Sequence, residues 1–213
     1  MIAKKFPPTV FVVDDDESVC DSLKFLLQSA ALESRAFGSA PEFLTAYDPT
    51  QPGCLVLDVR MPEMSGLELQ DELNLRGAII PVIFITGHGD IPMAVEAMQH
   101  GAHDFLQKPF GDQDLIERVR RALDKDARAR AALEEHSSIR ARLRSLTPRE
   151  REVLVLMARG KSNKMMAQEL GLSQRTVEIH RARVMGKSGV SSLAELLRMV
   201  MDVEPELLPA RQG

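Results

Sequence analysis

The sequence is poor in cysteine and holds no long apolar segment. Cys20 and Cys54 are the only cysteines in 213 residues. They form neither a CxxC pair nor a metal-type spacing, which argues against a disulfide framework or a zinc site. No apolar run approaches the roughly 18 to 20 residues of a membrane helix, and the opening MIAKKFPPTV has no apolar segment after its lysines. We therefore expect a cytoplasmic protein with two core thiols and no membrane association.

Length and charge favour two small domains of different character. The composition, 44% hydrophobic and 27% charged, is typical of globular proteins, and the length suits two domains of roughly 100 residues. Residues 1–122 hold 10 Lys and Arg against 19 Asp and Glu, giving −9, whereas residues 140–201 hold 13 against 5, giving +8. Because a basic module attracts phosphate backbones, the second half is the candidate for polyanion binding.

The first half alternates short apolar, β-rich runs with amphipathic stretches. This pattern is typical of a parallel sheet covered by helices on both faces. We predict a doubly wound α/β domain of five βα units over residues 1–122. The predicted strands are 10–13, 33–37, 55–57, 82–85 and 104–106, and the predicted helices are 19–29, 42–46, 66–75, 92–100 and 113–123.

The second half has the pattern of an all-helical domain that follows a charged linker. Residues 123–145 are rich in Ala, Arg and Glu and contain neither proline nor glycine, which favours a linker helix. Thr147 and Glu150 have the spacing of a capping box. We predict an all-α domain over 146–203, with helices at 148–158, 163–170, 174–187 and 193–201, and a flexible tail over 204–213.

Carboxylates follow two of the predicted strands. Asp14 and Asp15 come after the first strand, and Asp58 comes after the third. Because the carboxyl ends of parallel strands meet at one edge of a sheet, these side chains should lie together. Crowded carboxylates resist ionising unless a cation is present, and Mg²⁺ prefers oxygen ligands and leaves room for a phosphate oxygen. We predict a magnesium site here.

A hydroxyl and an ammonium group are predicted at the same edge. Thr86 ends the apolar run VIFIT, and Lys108 follows the run DFLQ. Phosphoryl transfer to an aspartate requires such groups, because cations neutralise the phosphoryl oxygens while the Asp58 carboxylate attacks in line. His88 and His100 are interpreted as a loop and a helix-surface histidine without catalytic roles.

At these residues, positions 1–122 resemble the receiver domain of two-component response regulators, the CheY-like family. The matching motifs are VVDDDES at 12–18, LVLDVRMPEMSG at 55–66, FITGHGD at 84–90 and FLQKPF at 105–110. The resemblance implies that a sensor histidine kinase phosphorylates Asp58. The implied Mg²⁺ ligands are Asp14, Asp15, Asp58 and the backbone carbonyl of Arg60. The implied catalytic and switch residues are Lys108, Thr86 and Phe105.

Residues 163–187 have the spacing of a helix-turn-helix. Gly171 permits the turn and Ser173 can cap the second helix. Val177, His180 and Val184 recur on one inward stripe. The opposite face carries the mixture of arginine, glutamate and small or apolar residues that suits a DNA major groove.

Residues 146–201 resemble the C-terminal domain of the LuxR and NarL class, and the whole chain resembles regulators of the FixJ type. The matching segments are LTPREREVL at 146–154, SNKMMAQELGLSQRTVEIHRARVM at 162–185 and SLAELLRM at 192–199. The resemblance implies double-stranded DNA as a partner, a homodimer when phosphorylated, and gene activation. The implied base contacts are Arg175, Glu178, Ile179, Ala182 and Arg183, and the implied phosphate contacts are Asn163, Lys164, Thr176, His180 and Arg181.

Two features depart from these patterns. Gly186 and Ser188 stand where the class has helix-forming and apolar residues, which predicts a weakened end of the recognition helix, since an interior glycine costs up to ~1 kcal/mol. Gly-Lys-Ser occurs at 160–162 and 186–188, but each lacks the earlier glycine of a P-loop. We therefore expect no ATPase module and no independent metabolic activity, and activation through RNA polymerase recruitment.

Two alternative functions remain open from the sequence. An aspartate-nucleophile phosphatase also places an aspartate after a parallel strand near Mg²⁺, although Asp58-Val59-Arg60 lacks the second acid of its DxD motif. A DNA-binding protein could instead use the first domain only as a dimerisation scaffold. The intact set of acidic, hydroxyl and lysine residues argues against the scaffold.

Overall fold

The computed structural model describes residues 6–87 and 91–207. The chain forms two compact units, residues 1–130 and 131–213, which we call the α/β unit and the helical unit. Within the described residues, no helix has both the length and the apolar character needed to cross a bilayer.

The α/β unit is built on a parallel five-stranded sheet. The strands have the spatial order β2-β1-β3-β4-β5. Their bounds are β1 (Thr9–Val13), β2 (Glu33–Phe37), β3 (Gly53–Asp58), β4 (Val82–Thr86) and β5 (Asp104–Gln107). The predicted fold class is confirmed, and four strands are slightly longer than predicted. Asp58 is the last residue of its strand rather than the residue after it.

Helices cover both faces of this sheet, and the three central strands β1, β3 and β4 are buried on both sides. On one face, Phe11 and Phe84 belong to a core that includes buried residues of α2 and α3. On the other, Val10 and Ile83 pack with α1 and α5. The helix bounds are α1 (Glu17–Ser29), α2 (Ala40–Ala46), α3 (Gly66–Leu75), α4 (Ile91–Gln99) and α5 (Asp112–Arg144).

Helix α5 is much longer than the predicted 113–123 helix. It continues without a break through the predicted linker to Arg144, because this stretch has no proline or glycine to end it. Residues 131–138 are exposed on every side. Ile139, the next residue, and Leu143, one turn later, are buried in the core of the helical unit. The end of α5 is therefore part of that unit.

Near residue 130, α5 is fixed to the edge of the sheet opposite the carboxyl ends. Asp126 is buried, and its Oδ2 accepts hydrogen bonds from Gly53 N (2.9 Å) and Arg130 Nε (2.7 Å). The Arg130 guanidinium also donates to the carbonyls of Pro49 and Gln51, both at 2.9 Å. We call this pair of side chains the Asp126 clamp. It attaches α5 to the start of β3.

The helical unit contains the four predicted helices. They are α6 (Pro148–Ala158), α7 (Asn163–Leu170), α8 (Gln174–Ser188) and α9 (Leu193–Val203), followed by a 3-10 turn at Pro205–Leu207. Two residues of the expected tail contact the unit: Leu207 lies against the core, and Glu204 pairs with Arg151 at 3.3 Å. Residues 208–213 lie outside the described part of the chain.

The capping box of α6 includes an ion pair whose carboxylate is buried. Glu150 accepts from Thr147 N at 2.8 Å, as the sequence predicted, and also from Lys187 Nζ at 2.6 Å. The hydrogen bond from Lys187, followed by that from Thr147, lowers the pKa of Glu150 to about 2. The pair therefore joins α6 to the end of α8.

We expect Glu150→Gln to destabilise the helical unit near neutral pH by about 2 kcal/mol, the contribution of a charge-assisted hydrogen bond. The folded pKa is lowered, so the stabilisation is complete above the ordinary value of 4.5 and is lost as the pH falls through about 2. Urea unfolding followed by circular dichroism should show a smaller difference between native and variant at about pH 3 than at about pH 6. An equal difference at both would contradict this expectation.

Candidate functional site

Four polar side chains start from adjacent strand ends at the carboxyl edge of the sheet. Asp14 follows β1, Asp58 ends β3, Thr86 ends β4 and Lys108 follows β5. These four strands are neighbours, and the strand order reverses between β1 and β3. Open α/β sheets bind their ligands at such a switch point.

Lys108 connects the two buried carboxylates. Its Nζ lies 2.9 Å from Asp14 Oδ2 and 3.1 Å from Asp58 Oδ1. The second Asp58 oxygen accepts from Arg60 N at 2.7 Å, and Asp14 Oδ1 accepts from Asp16 N at 2.9 Å. Every oxygen of both carboxylates thus has a donor that fixes its orientation.

The electrostatic balance of this site favours an additional cation. Burial raises the pKa of Asp58, although the Arg60 amide and Lys108 oppose the shift. Burial alone would lower the pKa of Lys108, but hydrogen bonds and attraction to Asp14 and Asp58 outweigh it and raise that pKa. Two buried carboxylates therefore share one ammonium group, which leaves an excess of negative charge.

A glycine lets α3 begin directly beside Asp58. A Cβ atom at Gly66 would lie 2.2 Å from the Asp58 carbonyl oxygen, well inside van der Waals contact. The Gly66 amide donates to Val59 O at 2.9 Å. This close approach closes the side of the site formed by the loop between β3 and α3.

The remaining predicted residues of this site differ in how far they are buried. Asp15 is exposed, and Thr86 is buried with its carbonyl accepting from Lys108 N at 2.7 Å. Phe105 is half-buried against the core. His88 and the rest of 88–90 lie outside the described residues. His100 is exposed, as predicted, and its Nδ1 lies 2.8 Å from Asp71 Oδ1.

The second candidate site is the pair of helices α7 and α8. Gly171 ends α7 with a φ of 65°, a left-handed conformation that glycine adopts readily. Ser173 caps α8 by accepting from Thr176 N. Val177 and Val184 are fully buried, so the inward stripe of α8 is where the sequence predicted it.

The opposite face of α8 is open to solvent. All five residues predicted to contact bases are exposed, namely Arg175, Glu178, Ile179, Ala182 and Arg183. The predicted phosphate contacts are mixed: Lys164 is exposed, whereas Asn163, Thr176, His180 and Arg181 are partly buried. Asn163 Nδ2 lies 3.4 Å from Glu178 Oε1, which links the two helices.

The end of α8 is helical despite Gly186. The helix continues through Ser188, which is fully buried, and Gly189 caps it with a φ of 70°. The predicted weakening at Gly186 does not shorten the helix, because contacts from outside α8 hold its last turn: Arg142 Nη1 donates to Ser188 O at 2.9 Å, and Lys187 Nζ donates to Ser145 O at 3.1 Å.

Family models match both units. The response regulator receiver domain matches residues 10–120, and the LuxR family of bacterial regulatory proteins matches residues 144–200. This chain belongs to the response regulator receiver family. It joins a receiver to a LuxR-family DNA-binding domain. The protein is therefore a two-component response regulator and a DNA-binding transcription factor.

Relatives share this two-domain organisation over nearly their whole length. The transcriptional regulatory protein FixJ of Azorhizobium caulinodans is 50% identical over 192 residues, 90% of this chain and 91% of the relative. Nodulation protein W of Bradyrhizobium diazoefficiens is 50% identical over 190 residues, 89% and 84% of the two chains. The solved structure of the response regulator StyR superposes with a TM-score of 0.85 at 49% identity, over 92% of this chain and 98% of that one.

Receivers generally bind Mg²⁺ at their phosphorylation site. In the part of this receiver that the structure describes, no three His, Cys, Asp or Glu side chains converge as a metal cluster, and Lys108 bridges Asp14 and Asp58 instead. The donors nevertheless fit a hard cation, because all are oxygen atoms and their charge exceeds that of Lys108. Asp15 adds a further carboxylate next to Asp14 in the chain.

Sequence patterns missed three groups that the structure shows to be buried or bound. The Asp126 clamp is an i, i+4 pair, which looks like any solvated pair on a charged helix. Lys187 and Arg142 appear as isolated basic residues. Their partners are 37 and 46 residues away, so no local spacing identifies them.

Proposed function

We propose that Asp58 is the phosphoacceptor of this response regulator and that a sensor histidine kinase is its donor. The observation that carries the proposal is the Lys108 ammonium, within 3.1 Å of both buried carboxylates. An ammonium held there can offset the charge of a phosphoryl group arriving at Asp58. Thr86, at the end of the neighbouring strand, would supply a hydroxyl donor.

The transfer balances with the groups present. The Asp58 carboxylate attacks the phosphorus of a phosphohistidine, and an oxygen–phosphorus bond forms as the nitrogen–phosphorus bond breaks. The imidazole leaves with that electron pair and takes up a proton. Arg60 N and Lys108 orient the Asp58 carboxylate before the attack, which reduces the entropy that the reaction must otherwise lose.

The proposed Mg²⁺ ligands are the carboxylates of Asp14, Asp15 and Asp58 and the backbone carbonyl of Arg60. When bound, the ion would neutralise part of the charge on the phosphoryl oxygens. Lys108 would remain beside Asp14 and Asp58 as the second positive group.

The proposed switch connects the site to the surface formed by α4, β5 and α5. Thr86 and Phe105 lie on the neighbouring strands β4 and β5, so a shift of Thr86 toward a phosphoryl group leaves space toward which Phe105 can turn. Val95 and Met98 on α4 are each 49% exposed. A second copy of this chain would cover these apolar side chains. A dimer also suits DNA binding, because helix-turn-helix dimers read two half-sites with one protomer each.

The proposed output is activation at promoters by recruitment of RNA polymerase, without any separate metabolic activity. The exposed face of α8 would enter the major groove, with the five predicted base contacts facing base edges. The five predicted phosphate contacts, from Asn163 and Lys164 on α7 to Arg181 on α8, would fix the position of the domain on the backbone.

Phosphorylation should raise DNA affinity by about tenfold, within the usual range of allosteric coupling. The probe is a duplex selected from a random pool by the native chain treated with acetyl phosphate and Mg²⁺. Fluorescence anisotropy would measure affinity before and after treatment, and sedimentation would measure the oligomeric state. Asp58→Asn is the control and should not respond. Unchanged affinity and oligomeric state after stoichiometric phosphorylation would rule out the coupling.

A further inference from the structure

The guanidinium of Arg142, in the last turn of α5, lies against the end of α8. Its Nη1 donates to the Ser188 carbonyl at 2.9 Å. A Cβ atom at Gly189 would lie 3.0 Å from the same nitrogen, so the guanidinium is packed on the residue that caps α8. Arg142 is itself partly buried, and its Nε has no hydrogen-bond partner within the described residues. The capping contact must therefore offset the burial of this polar group.

The turn that carries Arg142 is fixed in the helical unit. Leu143 is fully buried, and its carbonyl accepts from Arg151 Nη2 of α6 at 3.1 Å. One turn before it, Ile139 is buried in the same core. The turn is held by apolar packing and by a helix other than α8, so Arg142 is presented to α8 from a rigid support.

The end of α8 is capped partly by the residues that follow it, since Gly189 N donates to Met185 O at 3.0 Å, whereas Arg142 binds the Ser188 carbonyl. The last carbonyls of any helix lack intrahelical donors and carry a partial negative charge, which a cation stabilises. Gly186 lies in this last turn and disfavours helix by up to ~1 kcal/mol relative to alanine. Without Arg142, the last turn of α8 would open more often.

We propose that Arg142 is a positioning residue for DNA binding, which acts by holding the C-terminal end of the recognition helix α8. It does not face the groove itself. Arg183, an exposed residue of the DNA-facing surface, lies one turn before Lys187, and in a helix the carbonyl of residue 183 accepts from the amide of residue 187. Opening of the last turn breaks that bond and loosens Arg183. Arg142 lies outside the 144–200 match to the LuxR family.

Hydrogen exchange on the full-length chain tests the capping role. Arg142→Met keeps an apolar stem of similar length and removes the charged donor. We expect amides 185–190 to exchange about tenfold faster in this variant, the effect of losing a charge-assisted hydrogen bond. Arg144→Met is the matched control, because Arg144 is exposed two residues away on the same helix. Arg142→Lys, which keeps a cation, should be intermediate.

DNA binding tests the positioning role. The probes are a random-sequence duplex and a duplex selected from a random pool by the native chain, with acetyl phosphate and Mg²⁺ present throughout. We expect the ratio of selected to random affinity to fall about tenfold in Arg142→Met. The control Arg144→Met should weaken both affinities slightly, through the loss of one charge, and leave their ratio unchanged.

The results that would overturn the proposal are definite. One is that Arg142→Met matches Arg144→Met in exchange and in affinity ratio. Another is that it lowers both affinities by a single factor equal to its loss of folded protein, measured by circular dichroism. If Arg142→Met does not fold, Arg142→Gln is used instead. Glutamine lacks both the charge and the length of arginine, so the results that support or overturn the proposal are the same.

Discussion

Asp58→Asn will abolish phosphorylation by acetyl phosphate in the presence of Mg²⁺, while the native chain gains one phosphoryl group. The amide lacks the anionic oxygen that attacks phosphorus, so the expected loss is complete rather than partial. Asparagine has the size of aspartate, and its carbonyl oxygen can still accept from Arg60 N, which holds Asp58 at 2.7 Å. The variant should therefore fold, and intact-mass measurement reports the difference directly.

Asp21→Asn is the matched control for this experiment. Asp21 is an exposed carboxylate on α1 whose partner is Lys24, so its replacement changes the charge equally without touching the site. It should gain a phosphoryl group as the native chain does. A phosphoryl group on Asp58→Asn would identify a different acceptor. If the native chain also gains no phosphoryl group, the result favours the interpretation of the receiver as a dimerisation scaffold.

Lys108→Met will slow phosphorylation by acetyl phosphate by roughly 100-fold, the usual effect of removing one group that stabilises developing charge. Two effects contribute. The phosphoryl oxygens lose their ammonium partner, and the Asp14 and Asp58 carboxylates lose the ammonium group that both of them bind. Lys108 also opposes the rise that burial causes in the pKa of Asp58, so loss of its ammonium group shifts that pKa further upward.

The rate should be measured by intact mass at several pH values. Lys125→Met is the control, because Lys125 is an exposed lysine on α5, outside the site. We expect Lys108→Met to be slower than the native chain at every pH, because its phosphoryl oxygens lack the ammonium partner throughout. A native rate at every pH would show that Lys108 does not assist the transfer.

The sequence predicted the cluster of polar residues at the carboxyl edge of the sheet, because strand ends determine which side chains meet there. In a parallel sheet, a polar residue at the end of an apolar run must emerge at the carboxyl edge, whatever the order of the strands. This rule places Asp14, Asp58, Thr86 and Lys108 together without any knowledge of long-range contacts. The bounds of β3 were less predictable, because Gly53 and Asp58 look like loop residues outside their tertiary context.

Burial along α5 could not be predicted in the same way. The sequence around Asp126 is uniformly charged, and whether one carboxylate is exposed or buried depends on which face of the helix meets the start of β3. The same holds for Arg142, whose partner carbonyl on Ser188 exists only after α8 has packed beside α5. Contacts between a side chain and a backbone group far away in the sequence do not affect the local pattern of apolar and polar residues, so that pattern cannot predict them.

The exposed stretch 131–138 has a consequence for how such proteins can be recombined. The contacts of α5 with the first unit end at the Asp126 clamp, and its contacts with the core of the second unit begin at Ile139. A gene fusion that joins this receiver to a foreign output domain within 131–138 would cut through no packed residue. A junction at 146 would separate Arg142 from the helical domain, so the transferred α8 would lack the contact that caps its end. Residues 131–138 are thus the position at which receivers and output domains can be fused with the least loss of contacts.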